Sequence, residues 1–475
     1  MKHTLPLLGM SLALVLTGCF AKIHQLPAHA DKIAPVFAPL PDQDTLVGIA
    51  VSGGGSRAAT YAAGALEALA GIRIADGGQT RSVLEKVTHM SSVSGGSLAT
   101  AYYALKKPSK SEPVLDDQGL SAAYERFFST FKNDMQLNFQ GKALARQFLN
   151  FRAFNPTKSA YSFAEVWDAN FFNEATFSRL YEREKNGDAP QVIFNGTIYN
   201  SGRRLVLTTL PPSDFSYEFT KELRTKLMAK GEQFTPEGRA SFDRSLRRAK
   251  NQFNPQTFED LAADHRNLPV SLAVATSASF PPVVGPVTYQ TEGASTYTHA
   301  GDGGLFDNLG TESLTTVFLN KLHPGRPAAK KALILVIDAS FPFDEGTADL
   351  DQKEKGYQVF IDDPSRIVGI MEERANAYQA MLWHSLRTES ALLPDYDHFK
   401  LIILRHTEAE WTKDDPIPAG CPDTLTPEEI SKTIRQIPTL FKIEEPCHGA
   451  LLIAAAHKVV NKQRQRIMDF LQQRP

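Results

Sequence analysis

Apolar positions along this chain fall into short blocks, each followed by small residues and then by helix formers. Leu46 to Val51 is a β-rich run that stops at Ser52-Gly53-Gly54-Gly55, and from Arg57 to Ala70 alanine and leucine dominate. Val87 to Val93 repeats the strand pattern, and Gly95 to Leu105 repeats the helical one. Gln191 to Asn195, Leu205 to Thr209, Leu333 to Asp338 and Lys400 to Arg405 are further strand candidates. The last of these, "KLIILR", is nearly continuous in apolar residues, as expected of a strand covered on both faces. The final 25 residues space their apolar positions by three and four, which predicts a terminal helix. Strand–turn–helix alternation predicts an α/β fold around a mostly parallel sheet.

The ends of the chain follow other rules. Lys2 precedes a short apolar run, Leu5 to Thr17, that is too short for a bilayer span of about 20 residues. Leu16-Thr17-Gly18-Cys19 resembles a bacterial lipobox. The expectation is a signal peptide over 1–18, cleavage before Cys19, and acyl chains on that cysteine as the anchor. Phe20 is not an aspartate that would retain the protein at the inner membrane. The expected location is therefore the cell envelope of a Gram-negative-type bacterium, on the outer membrane facing the periplasm. Residues 19–44, punctuated by proline, read as a tether. An oxidising compartment makes Cys421 and Cys447 a candidate disulfide.

Composition adds two inserts. Residues 124–181 hold 15 aromatic residues in 58 positions, against 9% for the whole chain. Such an insert can be a lid or wall of an apolar pocket, or a helical layer on the core. Lys221 to Lys250 carries nine basic and four acidic residues, so it either faces anionic lipid or is a solvated helix. The net charge of −2 gives no global basic field, and no nucleic-acid partner is expected.

Chemistry concentrates in three glycine-marked stretches. In "AVSGGGSRAA" the glycines between a strand and a helix offer backbone N–H groups at a helix N-terminus, a site for a phosphate or an oxyanion. No Lys-Ser/Thr pair follows, so this is not the usual nucleotide-phosphate loop. "MSSVSGGSLA" approaches the G-x-S-x-G nucleophile elbow, with Ser94 at the turn and Ser92 where the first glycine should stand. Ser92 and Gly96 are both small enough for strand and helix to touch. The N–H of Gly95 would join those of Gly53 and Gly54 in an oxyanion hole. A serine needs a base. Of the 12 histidines only His89 and His299 lie near these stretches, and neither sits at a glycine-marked loop tip. "HAGDGGLFDN" places Asp302 among glycines, where it is either a desolvated base or the start of an Asx-turn.

Together "SGGGSRAA", "SVSGGS" and "GDGG" resemble the patatin-like phospholipases, the first being especially similar to the cytosolic group-IV branch. "ATSASFPPV" (Ala275 to Val283) and "NGTIYNSGRR" (Asn195 to Arg204) agree, and the order fits from about 46 to 340. The resemblance implies a three-layer α/β/α patatin-like fold with a catalytic domain over 45–340 and a C-terminal extension over 341–475 packing on it. It implies a Ser–Asp dyad, with Ser94 as nucleophile and Asp302 as base. Gly53, Gly54 and Gly55 match the oxyanion loop, and Arg57 matches an arginine that holds the loop or favours negative charge nearby. The implied substrate is a membrane phospholipid or lysophospholipid. No acidic cluster has metal-ligand spacing, so neither metal nor cofactor is expected. Three alternatives remain: a hydrolase triad using His384 or His448, acyl transfer in place of hydrolysis, and a non-catalytic lipoprotein that binds a lipid or a partner.

Overall fold

The computed structural model describes residues 21–29, 44–76, 78–150, 152, 155–216, 235–281, 284–322, 328–341, 369–371, 373–375, 377 and 398–472. The expected signal peptide over 1–18, Cys19, residues 221–234 of the basic insert, and His384 lie outside the described residues.

The strands are β1 (Ile23–Leu26), β2 (Thr45–Val51), β3 (Arg73–Asp76), β4 (Gln79–Ser82), β5 (His89–Val93), β6 (Gln191–Ile198), β7 (Arg203–Thr208), β8 (Val287–Thr291), β9 (Thr298–Asp302), β10 (Lys331–Asp338) and β11 (Phe399–Arg405). All but the β3–β4 hairpin form one sheet, in the order β1-β8-β9-β6-β5-β2-β10-β11, with β7 paired to β6. β6, β5, β2, β10 and β11 run parallel to one another, while β9 is antiparallel to both β6 and β8.

The helices that position the site are α1 (Gly55–Ala70), α2 (Gly95–Lys106), α3 (Ala122–Asp134), α4 (Phe139–Leu149), α5 (Ser159–Trp167), α6 (Phe177–Lys185), α7 (Pro236–Phe253), α8 (Val270–Ser277), α9 (Thr311–Lys321), α10 (Pro427–Gln436) and α11 (Pro446–Gln472). Strand β10 shows why the sheet needs two covers. Leu333, Leu335 and Ile337 enter the core shared with α1 and α11. Ala332, Ile334 and Val336 enter a second core built with Leu314, Val317 and Phe318 of α9. A strand with both faces buried loses the period-two polar alternation, and that produces "KALILVID". The architecture is three-layer α/β/α with a mostly parallel sheet and an aromatic-rich helical insert.

Two sequence expectations change, and one left open is narrowed. Part of the tether is ordered as β1, which pairs in parallel with β8 from Ile23↔Thr288 to Leu26↔Thr291. A four-residue edge strand borrows its order from the sheet and carries little signal of its own. "KLIILR" is the opposite sheet edge, with Lys400, Leu401 and Ile403 only half-buried. Much of the aromatic insert is a packed layer: Tyr102 of α2 stacks on Phe131 at 4.6 Å and meets Phe171 edge-on at 5.3 Å. Phe139, Phe163 and Trp167 join it, with Phe441 of the C-terminal extension lying 5.0 Å from Phe163. Among the described residues of this insert, only the end of α4 leaves large apolar side chains in solvent.

Candidate active site

Strand β5 ends at Val93 and helix α2 begins at Gly95, so Ser94 is a one-residue turn between them. Its backbone has φ 51° and ψ −124°, a conformation that a side chain adopts only when the surroundings impose it. Three contacts impose it. The Ser94 N–H donates to both the carbonyl and the hydroxyl of Ser277, each at 3.1 Å. A Cβ on Gly95 would run into the carbonyl oxygen of Gly55. A Cβ on Gly96 would sit 2.5 Å from the Ser52 carbonyl oxygen. The two glycine loops are thus in backbone contact, and glycine is the residue that permits it.

Ser92 does more than stay small. It is fully buried, and its hydroxyl accepts from Ser97 at 3.1 Å. Ser97 lies 2.9 Å from the hydroxyl of Ser277, which donates to the Asn195 carbonyl at 2.5 Å. Asn195 donates through Nδ2 to the Ser91 hydroxyl at 2.8 Å and the Ser92 carbonyl at 2.9 Å. A network of buried hydroxyls and one amide therefore underlies the turn that carries Ser94.

Gly54 and Gly55 occupy φ 134° and 59°, and the N–H groups of Gly54, Gly55 and Gly95 donate to no described acceptor. Gly53 departs from expectation. Its N–H already donates to the Asn308 carbonyl at 2.9 Å, so it cannot serve an oxyanion. Its glycine identity answers a packing need, because a Cβ there would meet the Asn308 side chain. Arg57, buried, donates through Nε to the Ala339 carbonyl at 2.9 Å and through a terminal nitrogen to the Ile437 carbonyl at 2.6 Å. These bonds tie the first turn of α1 to the chain after β10 and to the C-terminal segment.

Asp302 ends β9 and is buried. Its Oδ1 accepts from the Gly304 N–H at 2.7 Å, which is the Asx-turn. Burial pushes its carboxyl up to about 7, with the Gly304 N–H and the Ser94 hydroxyl opposing that rise. Oδ2 is buried with no partner in good hydrogen-bond geometry. The approach of Ser94 is therefore looser than a formed hydrogen bond. Asx-turn and desolvated base are compatible: one oxygen serves the turn and the other remains uncommitted.

The histidines whose partners are known point elsewhere. His89 contacts Thr88 at the far end of β5, and burial pushes it down to about 3. His299 contacts Thr288, His448 contacts Glu445, and His457 contacts Glu67.

A family model described as patatin-like phospholipase matches residues 49–315, more than half of the 475. The chain belongs to the patatin-like phospholipase family. No curated protein sequence matches it. Among solved structures it is similar to human GIVD cytosolic phospholipase A2, at 12% identity and a TM-score of 0.42, over 91% of this chain and 60% of that one. The same human protein in complex with methyl gamma-linolenyl fluorophosphonate matches at 17% identity and 0.39, over 91% and 59%. The chain thus spans about three fifths of the length of these structures.

Several parts of this patatin-like site carried no individual role in the sequence. Ser277 lies within "ATSASFPPV" and Asn195 begins "NGTIYNSGRR", so both were marked only as members of recurring blocks. Tyr199 places its hydroxyl over Gly301, beside Asp302; burial first and then the Asp302 charge push it up to about 12. Leu440 contributes only a carbonyl, which accepts the Ser56 N–H at 2.7 Å and closes over Gly55. A backbone acceptor leaves no sequence signal. The disulfide expected between Cys421 and Cys447 is formed.

Proposed function

We propose that this protein is a lipid acyl hydrolase of the phospholipase A or lysophospholipase type. Ser94 is its nucleophile and Asp302 its base. The observation that carries this reading is a serine held at φ 51° beside a buried carboxylate with a free oxygen, on a chain of this family. Asp302 Oδ2 takes the proton as Ser94 Oγ attacks the acyl ester carbon. The N–H groups of Gly54, Gly55 and Gly95 receive the oxyanion, in place of the Gly53 N–H. Collapse expels the lysolipid or glycerol-phosphate alcohol, which takes the proton back from Asp302. Water then attacks the acyl-enzyme and its proton goes to Asp302; as the C–Oγ bond breaks and the fatty acid leaves, Asp302 returns that proton to Ser94 Oγ, which restores both groups.

Domain and location belong to the same proposal. Residues 45–340 form the catalytic domain and 341–475 are a C-terminal extension packing on it, a reading supported by β11 at the sheet edge and Phe441 against Phe163. Cys19 carries the lipid anchor at the outer membrane, a reading supported by Leu16-Thr17-Gly18-Cys19 and by a disulfide suited to an oxidising compartment.

The test is incubation of wild type and Ser94→Ala with defined phospholipids and lysophospholipids, with products identified by mass spectrometry. Free fatty acid from wild type alone is expected. Equal release by Ser94→Ala removes the assignment, and acyl groups appearing on a second lipid would make the enzyme a transferase.

A further inference from the structure

Among the described residues, the end of α4 is apolar and exposed. Leu144, Phe148 and Leu149 are 51%, 62% and 77% exposed. Leu144 and Phe148 share one face at a spacing of four and Leu149 adjoins Phe148 at the helix end, while Phe139 and Ala143 turn inward. Scattered surface leucines are ordinary, but three adjacent large side chains form a patch. Charge near the patch is predominantly positive. From Met135 to Ala164 the chain holds four cations, Lys142, Arg146, Arg152 and Lys158, and no acidic residue in 30 positions. Arg146 and Arg152 reach Glu165 at 3.4 and 2.7 Å, and Lys142 reaches Asn170 at 2.9 Å, so the cations are held beside the helix. One carboxylate shared by two guanidiniums leaves the rim positive.

The start of α4 lies close to the candidate site. The Gln140 N–H at the start of α4 donates to the Phe441 carbonyl at 2.8 Å, and the adjacent Leu440 carbonyl closes over Gly55. Leu149 is nine residues further along, roughly 14 Å at 1.5 Å per residue. We propose that the face of α4 formed by Leu144, Phe148 and Leu149 is an interfacial anchor that inserts into a phospholipid bilayer, with the flanking cations seated on anionic head groups. Apolar side chains ringed by cations match the acyl–head-group boundary of an anionic leaflet. Docking there would bring the Ser94 side of the protein to the membrane. The proposal rests on the phospholipase reading for its partner, and its test is separable from turnover.

Full-length Ser94→Ala protein, which serves as the background, is mixed with vesicles of phosphatidylcholine alone or with added phosphatidylglycerol, and bound protein is measured by flotation. The added triple variant Leu144→Ser, Phe148→Ser, Leu149→Ser is expected to bind more than about tenfold more weakly, and added salt to weaken the background protein on phosphatidylglycerol vesicles. Because a lipid on Cys19 would also hold vesicles, Phe148→Trp supplies a direct reading. Its emission, taken as the difference from the protein without it, should shift to the blue and be quenched by brominated lipid. With Ser94 restored, the triple variant should hydrolyse a soluble short-chain ester at the normal rate and vesicle lipid more slowly. Unshifted emission from the Phe148→Trp variant overturns the anchor, and so does equal vesicle binding by the triple variant and its background when both carry Cys19→Ala. A background dimer that the triple variant dissolves overturns it in favour of a second copy. Vesicle binding with no hydrolysis by the Ser94 enzyme overturns the activity and leaves the anchor standing.

Discussion

The backbone N–H of Ser94 and that of Asp302 are held by carbonyls only two residues apart, Ser277 and Ser279, each at 3.1 Å. One turn at the end of α8 thus fixes the nucleophile candidate and the base candidate relative to each other, although 208 positions separate them in sequence (302 − 94). Ser94 approaches from a parallel strand and Asp302 from an antiparallel one, and the turn bridges the two halves of the sheet.

Burial of Asp302 yields opposite pH expectations for activity and stability. A base titrating near 7 must lose its proton to act, so kcat/KM should rise about tenfold per pH unit below 7 and level above it. Stability runs the other way. A folded carboxyl raised above its unfolded value binds more protons than the unfolded chain between 3.8 and about 7, so stability falls across that window and stays low above it. Asp302→Asn should therefore abolish hydrolysis yet stabilise the fold by up to about 4 kcal/mol at pH 8, with little gain at pH 4. Denaturant titrations at the two pH values measure this. Equal stability change at both would mean that Asp302 is not a desolvated carboxyl.

Ser277→Ala should slow the enzyme while keeping it folded. The Ser277 carbonyl still receives Ser94, but the hydroxyl that links Ser94, Ser97 and Asn195 is lost. Leaving buried partners unsatisfied costs about 1–3 kcal/mol, and a loosened elbow should lower kcat/KM about 10- to 100-fold with KM little changed. Ser277→Thr, which keeps the hydroxyl, should recover part of the loss. A variant with unaltered kinetics would show that the carbonyl alone holds the elbow.

What the sequence disclosed about this site depended on side-chain identity. Ser94, Asp302, Gly54, Gly55 and Gly95 are legible because an elbow, a carboxylate and crowded backbones require particular residue types. Gly53 was legible as a glycine but its role was not, since the acceptor of its N–H is the backbone of Asn308. Leu440 and Ile437 were hidden because they act through carbonyls. The fold followed the same rule. β10, buried on both faces, announced itself, whereas β1 and the true position of β11 depend on neighbours distant in sequence.

Gly55→Ala tests how closely the C-terminal extension seals the oxyanion loop. Gly55 sits at φ 59°, and a Cβ there would collide with the Leu440 carbonyl. The loop must open or Leu440 must retreat, and either moves the Gly54 and Gly55 N–H groups of the proposed oxyanion hole. Loss of one oxyanion donor costs about 10²–10³ in kcat. A decrease of that order is expected, with a lowered melting temperature. Near-normal kcat would place the oxyanion at other donors.

Removing the disulfide should reach the same loop from outside. Cys421 and Cys447 close a segment that delivers Ile437 to Arg57, Leu440 to Ser56 and Phe441 to Gln140. Closing a loop of this length contributes about 3–4 kcal/mol in the chain-entropy model. The double variant Cys421→Ser, Cys447→Ser should lose stability of that order in denaturant titrations. If the segment also braces the oxyanion loop, fluorophosphonate labelling of Ser94 should slow under native conditions, where the protein is still folded, and reductant should do the same to wild type but nothing to the double variant. Unchanged labelling with lowered stability would separate the two roles, leaving the disulfide a brace of the fold alone.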